Sequence, residues 1–232
     1  MTAQLKVLSA GAVKRGVAQV CKDFERATGT PVSIEFDSAP KLRKRVSAGE
    51  TADVIVVPPA LMDEFDKQGR IDAASRGFVG RSRMGVVVHK RAPSPDVSDT
   101  AAFRRALAGA KTVVHNKASS GIYSAKLLER LGLDKKLGER IVIVESGSAV
   151  MQAVAEKGPG AIGLAQISEV MVMIDKGCAV KLVAPLPDEI QNVTNYDAAA
   201  FAASGSHEAA RKLAASLASD AAKKVFAATG IA

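Results

Sequence analysis

Small residues gather at four points of the sequence, each at the junction between a short apolar run and a helical pattern. They occupy residues 9–12 (SAGA), 38–40 (SAP), 118–121 (ASSG) and 146–148 (SGS). The first N–H groups of a helix lack partners within the helix, and small side chains let a ligand approach them. The four segments therefore predict a site in which backbone amides bind a small anion. Helix capping without a ligand is the alternative, since Ser and Gly cap helices in α/β proteins generally.

Side chains for other kinds of chemistry are sparse. His89 and His115 each end a predicted strand, where site residues gather in α/β sheets, but ordinary histidines at a sheet edge explain them as well. The sequence motifs of serine hydrolases, phosphate-binding loops and zinc proteases do not occur. Cys21 and Cys178 stand far apart, outside the spacing of metal ligands. No cofactor, metal site or disulfide is therefore predicted.

The charge balance favours an anionic ligand over a nucleic acid. The chain has 32 Lys and Arg residues and 24 Asp and Glu residues, a formal net charge of +8. The densest basic run, residues 41–45, is interpreted as the solvated face of a helix, and aromatic residues, at 4% of the chain, offer few surfaces on which bases could stack. The apolar runs have the length of strands rather than the ~20 residues of a membrane span. We therefore expect neither nucleic-acid binding nor membrane insertion.

Strands and helices alternate along most of the sequence. Residues 5–8, 32–36 and 52–57 are predicted strands, each followed by a helix, and three such units in a row indicate a doubly wound α/β lobe. A proline-containing segment at residues 90–99 interrupts this alternation, and a second series of strands and helices follows it. One amphipathic helix is predicted near the end of the chain, over residues 207–227.

The interruption at residues 90–99 predicts a fold of two doubly wound α/β lobes joined by a hinge at residues 84–89. Lobe I comprises residues 1–83 together with residues 197–232, and lobe II comprises residues 84–196 with the hinge crossovers. Open α/β sheets bind ligands beyond the carboxyl ends of their strands. We therefore expect the four small-residue segments, two from each lobe, to face a common cleft.

Five segments carry a resemblance to a known family, namely residues 5–12, 36–42, 48–57, 119–123 and 161–165. The motif SSGIY at 119–123 is the most specific, followed by GETADV at 49–54. In this order along the chain they resemble the molybdate-binding proteins of bacterial ABC importers, which are type II periplasmic solute-binding proteins. The resemblance implies two α/β lobes that close on a tetrahedral oxyanion held by backbone amides and hydroxyls. It also implies delivery of the ligand to a membrane permease rather than catalysis.

Three positions depart from the pattern of that family. Ala12 and Ala39 stand where molybdate binders have hydroxyl groups, and Gln166 aligns with their site tyrosine. Lys41 follows the second segment and supplies a cation, so a ligand that carries carboxylates fits at least as well as molybdate. Molybdate and tungstate are expected to bind weakly or not at all, because each donor lost to a charged group costs about 1.5–3 kcal/mol. The ligand-binding residues assigned on this basis are Ser9, Gly11, Ala12, Ser38, Ala39, Lys41, Ser119, Ser120, Gly121, Ser148 and Gln166.

Backbone amides do most of the binding in this interpretation. Those of Gly11, Ala12, Ser120 and Gly121 are expected to meet the negative oxygens of the ligand. Ser120 begins a predicted helix, so Ser120→Leu is expected to abolish binding without affecting the fold. A further candidate is the amide-rich stretch at residues 188–196, which could bind several oxygens of an organic acid. A polar loop that satisfies its own backbone explains this stretch equally well.

The leading functional hypothesis is a monomeric solute-binding protein that captures a small anion, an oxyanion or an organic carboxylate, for an ABC permease. By resemblance such a protein is periplasmic. The sequence starts without a secretory signal pattern, so a cytoplasmic anion sensor is an alternative. A second alternative is an isomerase acting on a small tricarboxylate such as aconitate, an activity found in the wider family. His115, Lys41 or Tyr196 would then have to act as the base.

Overall fold

The computed structural model describes residues 4–231, and these residues form two compact units. Unit 1 combines the chain up to Ser82 with the segment from Thr194 onward, and unit 2 spans Arg83–Val193. The division predicted from the sequence places these boundaries after residues 83 and 196. Its terminal residues, 1–3 and 232, lie outside the described part of the chain.

Ten strands and ten α-helices occur among the described residues. The strands are β1 (Leu5–Ala10), β2 (Val32–Asp37), β3 (Val54–Val57), β4 (Gly77–Ser82), β5 (Met84–His89), β6 (Thr112–Asn116), β7 (Ile141–Val144), β8 (Ala161–Gln166), β9 (Val180–Pro185) and β10 (Thr194–Ala200). The helices are α1 (Lys14–Thr28), α2 (Ala39–Ser47), α3 (Pro59–Lys67), α4 (Thr100–Gly109), α5 (Ser119–Arg130), α6 (Asp134–Leu137), α7 (Gly147–Lys157), α8 (Ile167–Asp175), α9 (His207–Leu217) and α10 (Asp220–Ala228).

Unit 1 contains one five-stranded sheet in the order β2-β1-β3-β10-β4. β1 runs parallel to β2 and β3, whereas β10 is antiparallel to β3 and β4. Both faces of the sheet are covered. Val17 of α1 and Phe226 of α10 belong to the apolar core on one face, and Leu42 of α2 and Phe65 of α3 belong to a separate core. Burial on both faces explains why β3 is a continuous apolar run.

Unit 2 repeats this arrangement with the order β7-β6-β8-β5-β9. β6 is parallel to β7 and β8, and β5 is antiparallel to β8 and β9. Phe103 of α4 and Leu127 of α5 lie in one core, while Val150 of α7 and Val170 of α8 lie in another. The fold predicted from the sequence, two doubly wound α/β lobes, is therefore confirmed.

The structure corrects the sequence-based elements at two places. The single helix predicted for residues 207–227 is two helices, because α9 ends at Leu217 and α10 begins at Asp220. Between them Ser219 starts the new helix, since its Oγ accepts a hydrogen bond from the N–H of Ala222 at 3.1 Å. The strand β4 was not predicted, because its sequence GFVGRS alternates weakly between apolar and polar residues.

Parallel strands end at the same edge of a sheet, and this places the small-residue segments. In unit 1 the segments at residues 9–12 and 38–40 stand at the ends of β1 and β2. In unit 2 the segments at 118–121 and 146–148 follow β6 and β7. Each unit therefore has two of the four segments at the carboxyl edge of its parallel strands.

The motif GETADV at residues 49–54 serves the fold rather than a ligand. Asp53 Oδ2 accepts from the backbone N–H of Lys6 at 2.7 Å, and Asp53 Oδ1 accepts from Ser204 Oγ at 2.6 Å. Glu50 accepts from Arg45 Nε at 2.6 Å and from Lys6 Nζ at 2.9 Å. The motif thus connects β1, α2 and the segment that follows β10.

This cluster predicts a specific pH dependence of stability. Hydrogen bonds from Arg45, and secondly from Lys6, lower the pKa of Glu50 from 4.5 to about 2. A carboxylate with a lowered pKa in the folded state stabilises the protein fully above its unfolded pKa, and this contribution is lost as the pH falls toward the folded value. Glu50→Gln should therefore destabilise unit 1 near about pH 6 and less near about pH 3, where part of the contribution has been lost.

Urea unfolding of the parent and of Glu50→Gln at both pH values measures this difference. Glu156→Gln is the control, because Glu156 is an exposed glutamate on α7 in unit 2. An equal loss of unfolding free energy in Glu50→Gln at the two pH values would contradict the assignment.

Candidate functional site

In unit 2 one side chain, that of Asn116, holds the loop between β6 and α5. Asn116 is the last residue of β6 and is buried. Its Oδ1 accepts from the backbone N–H groups of Ala118 at 2.8 Å and Gly121 at 3.1 Å, and its Nδ2 donates to Ser120 Oγ at 3.0 Å. The sequence analysis missed Asn116. An Asn placed two residues before a helix cap is a recognised loop-forming signal and could have identified it.

These contacts leave two amides of the loop for a ligand. The N–H groups of Ser119 and Ser120 are the first of α5, and no acceptor within residues 4–231 meets them. The expectation for the amide of Gly121 is corrected, because that N–H already donates to Asn116. Gly121 has a steric role instead, since a Cβ there would lie 1.5 Å from the backbone oxygen of Asn116.

The side chains of Ser119 and Ser120 differ in their exposure. Ser119 is exposed, whereas Ser120 is only 4% exposed and its Oγ is bonded to Asn116. The premise of the Ser120→Leu prediction, that this position lies outside the core, is therefore wrong, because Ser120 is buried and its hydroxyl is hydrogen-bonded. Ser119 is the position at which the loop can be changed without disturbing the interior.

Two further predicted residues lie at the same edge of the sheet of unit 2. The hydroxyl of Ser146 caps α7 by accepting from the N–H of Ala149 at 3.3 Å, and Ser148 Oγ lies 3.0 Å from Ser146 Oγ. Ser148 is exposed. Gln166, the last residue of β8, is half-buried and immediately precedes α8. Because β6, β7 and β8 are parallel, unit 2 carries Ser119, Ser148 and Gln166 at one edge.

In unit 1 the first segment begins inside the strand. Ser9 belongs to β1, is fully buried, and donates through Oγ to the backbone oxygen of Ala10 at 3.2 Å. Gly11 and Ala12 are half-buried and form a short 3-10 helix with Val13, which leads into α1. The contact of Ser9 is local, so the backbone of Gly11 and Ala12 is what this segment can offer to a ligand.

The second segment of unit 1 contains a paired cation. Ser38 is exposed and precedes α2, while the side chain of Ala39 packs against the apolar core. Lys41 Nζ lies 3.5 Å from Asp37 Oδ1, which also accepts from the N–H of Ser38 at 2.8 Å. The charge of Lys41 is therefore partly offset by Asp37, a neighbour that the sequence analysis did not consider.

The candidates for a catalytic base differ in accessibility. His115 is buried, with Nδ1 3.1 Å from the backbone oxygen of Asn116. Tyr196 lies in the apolar core of unit 1, and its residue is 5% exposed. The side chain of Lys41 is 72% exposed. Lys41 alone among these three is open to solvent.

Gln191, the central amide of the stretch at residues 188–196, makes its hydrogen bonds within the protein. Gln191 Oε1 accepts from the N–H of Met84 at 2.8 Å and from that of Asn192 at 3.0 Å. Gln191 Nε2 donates to the backbone oxygens of Met84 and Leu186. The Gln191 side chain therefore links the start of β5 to the loop after β9, and its hydrogen-bond donors and acceptors are all used within the protein.

The part of the chain that the structure describes offers neither a cluster of metal-ligating side chains nor a membrane-spanning helix. No group of three or more His, Cys, Asp or Glu residues there is placed to hold a metal ion. Within residues 4–231, no helix has both the length and the apolar character needed to cross a membrane.

Comparison with known proteins relates the chain to transport proteins and to one enzyme. The sequence model of the family described as bacterial extracellular solute-binding protein matches residues 5–232. An aconitate isomerase from a Pseudomonas species is 30% identical over 228 residues, which cover 95% of this chain and 85% of that protein. The molybdate-binding protein ModA of Escherichia coli K12 is 23% identical over 201 residues, or 84% of this chain and 76% of ModA.

The fold is shared with a solved molybdate-binding protein. The periplasmic molybdate-binding protein of Azotobacter vinelandii superposes with a TM-score of 0.71 at 20% identity, covering 98% of each chain. At this identity the likeness concerns the fold, the type II periplasmic binding protein architecture. The resemblance stated from the sequence motifs is confirmed by the family match and by these relatives.

The contacts of Asn116 predict a large effect of its removal on stability. Asn116→Ala leaves the buried N–H of Gly121 without its acceptor, and such a loss costs about 1–3 kcal/mol. Asn195→Ala is the matched control, because Asn195 is exposed on β10 and its change should stay within about 0.5 kcal/mol. Urea unfolding of both variants measures the difference. Equal stabilities for the two variants would contradict the role given to Asn116.

Proposed function

We propose that this chain, which belongs to the bacterial extracellular solute-binding proteins, captures a small anion at the carboxyl edges of its parallel strands and delivers it to an ABC permease. The observation that supports this proposal is the pair of unpartnered N–H groups at Ser119 and Ser120, in a loop that Asn116 holds in place. Such amides at a helix start bind negative oxygens without a dedicated cation. The remaining proposed contacts are made by Ser148, Gln166, Gly11, Ala12, Ser38, Ala39 and Lys41. Ser9 and Gly121 are proposed to shape the backbone of their segments.

The proposed ligand is an organic carboxylate rather than a tetrahedral oxyanion. Ala12 and Ala39 cannot donate from their side chains, and Gln166 offers an amide in place of a hydroxyl. An organic acid places its negative charge on separate carboxylates, so it depends less on a ring of hydroxyl donors around one centre. The net charge of +8 favours the encounter with any such anion. The proposed setting is the periplasm, with the protein acting as a monomer.

An isomerase of a small tricarboxylate is the second candidate function. It is favoured by the 30% identity to an aconitate isomerase over 95% of the chain. Both candidates need the same kind of ligand and differ in whether a base takes a proton from it. Lys41 is the solvent-accessible member of the three proposed bases, so it is the residue to change if turnover is found.

A thermal-shift panel with molybdate, tungstate, sulfate, citrate, cis-aconitate and trans-aconitate tests the ligand class. A ligand at about a hundred times its dissociation constant adds about 2.7 kcal/mol to stability, which gives a clear rise in Tm. Citrate or an aconitate isomer should raise Tm, and the three oxyanions should not. Submicromolar binding of molybdate by calorimetry would contradict the carboxylate proposal. Proton NMR of trans-aconitate incubated with the protein separates the binder, which leaves it unchanged, from the isomerase.

Ser119→Pro tests the role of the backbone amide directly. Proline removes one N–H but is tolerated in the first turn of a helix, and the preceding Ala118 has the extended backbone, with ψ −174°, that proline requires. Loss of one donor to a charged ligand should weaken binding by about 1.5–3 kcal/mol, which is about 10- to 150-fold. Ser119→Ala, which keeps the N–H and removes the hydroxyl, should bind more tightly than Ser119→Pro.

Calorimetry with the carboxylate that gives the largest thermal shift measures both variants. If Ser119→Pro binds as tightly as Ser119→Ala, the amide at residue 119 does not contact the ligand.

A further inference from the structure

An open cavity lies at the edge of the unit 1 sheet opposite to the small-residue segments. Its volume is about 480 Å³, within the range of small-molecule sites, and Thr51, Arg70 and Ala203 are among the residues that line it. β10 is antiparallel to β3, and Ala200 pairs with Val54, so the end of β10 and the start of β3 share one edge. The cavity is therefore separate from the carboxyl edge of β1 and β2, where unit 1 has its candidate ligand contacts.

Arg70 brings a guanidinium group without a partner to this cavity. It is half-buried, and within the described part of the chain its side chain makes no hydrogen bond or ion pair. The other half-buried arginines of those residues all interact with the protein, namely Arg15, Arg45, Arg76, Arg83 and Arg140. Partial burial removes water from a charged group, and a hydrogen-bonded or charged partner normally offsets that loss. The N–H donors of Arg70 are therefore available to a ligand.

The backbone around the cavity holds Arg70 in place and adds further donors. The N–H of Arg70 donates to the oxygen of Phe65 at 2.9 Å, and the oxygen of Arg70 accepts from the N–H of Ala202 at 3.0 Å. The N–H groups of Thr51 and Ala203, which also line the cavity, meet no acceptor among residues 4–231. Guanidinium and backbone N–H groups are donors that bind carboxylates and phosphates in proteins.

The carboxyl end of α3 lies beside this cavity and offsets only part of the charge of Arg70. A helix end carries about half an elementary charge, whereas the guanidinium carries a full one. The oxygens of Glu64 and Asp66 already accept from the backbone N–H groups of Gln68 and Gly69. Among the described residues that line the cavity, none is acidic. A positive charge therefore remains for an anion.

We propose that this cavity is a second anion site, in which Arg70 binds the carboxylate or phosphate group of a small molecule. The inference goes beyond the proposed function, because it concerns an edge of unit 1 that has no part in the proposed capture of a transported anion. Thr51 precedes β3, Arg70 follows α3 and Ala203 follows β10, so a bound anion connects three separate segments of the chain. A ligand that binds only the folded state stabilises it. Occupation of this site therefore stabilises unit 1.

Titration of isotope-labelled protein with citrate, and separately with inorganic phosphate, tests the site by amide NMR. The signals of Thr51, Gly69 and Ala203 should shift and saturate with at least one of the two anions, and the tighter-binding anion identifies the group bound. In Arg70→Gln the dissociation constant from these signals should rise at least about tenfold, because a charged hydrogen-bond donor is lost. Lys67→Gln is the matched control, since it removes the same charge from an exposed position on α3 and should bind like the parent.

Ala203→Leu tests the same site without changing any charge. Ala203 is exposed, so a leucine there fills the cavity without entering the core, and binding should weaken as in Arg70→Gln. Shifts that do not saturate in the parent, or binding that is unchanged in both variants, would overturn the proposal. A role of Arg70 confined to the end of α3 predicts a lower Tm for Arg70→Gln with unchanged binding, which also overturns it.

The same titrations keep this inference apart from the proposed function. The amide signals of Ser119 and Ser120 report binding at the start of α5, whereas those of Thr51, Gly69 and Ala203 report the cavity. If only the α5 signals respond to the anions, the second site is overturned and the proposed function stands. If only the cavity signals respond and saturate, the second site stands and anion capture at α5 is contradicted.

Discussion

Parallel strands end at one edge of their sheet, and this constraint determines where each unit has backbone N–H groups without partners. β1, β2 and β3 end together in unit 1, as β6, β7 and β8 do in unit 2. Each of these strands leads into a helix or a short 3-10 turn, whose first amides have no acceptor within the helix. Donors therefore accumulate at this edge, and the protein must either satisfy them itself or present them to a ligand.

Unit 2 uses both solutions at the starts of α5 and α7. At α5 the side chain of Asn116 accepts hydrogen bonds from the N–H groups of Ala118 and Gly121. The N–H groups of Ser119 and Ser120 are left for a ligand. At α7 the carboxylate of Glu169 lies against Gly147. Small residues occur at both helix starts, but for different reasons. At Gly121 and Gly147 the space is taken by the protein's own atoms, whereas at Ser119 it opens to solvent.

Because both faces of each sheet are buried, the strands consist of apolar runs, and these runs made most elements predictable from the sequence. Residues 5–8 and 52–57 were predicted as strands, and they overlap β1 and β3. The break at Ser219 was missed because α9 and α10 continue one amphipathic pattern across a serine cap. In the candidate site, the small-residue segments were found by composition, but Asn116, Asp37 and Glu169 were not. Their roles depend on which atoms meet after folding, as in the contact of Glu169 with a glycine 22 positions earlier in the sequence.

The place of β10 has a consequence for the order in which the chain can fold. β10 lies between β3 and β4, so the sheet of unit 1 stays divided until Thr194–Ala200 has been made. Every strand of unit 2 lies within Arg83–Val193, a continuous stretch of chain. During synthesis from the amino terminus, unit 2 has all its strands while unit 1 still lacks the one that joins its two halves. Unit 1 begins first in the sequence, but its sheet is completed last. Until β10 has been made, the edges of β3 and β4 are open to pairing with other strands.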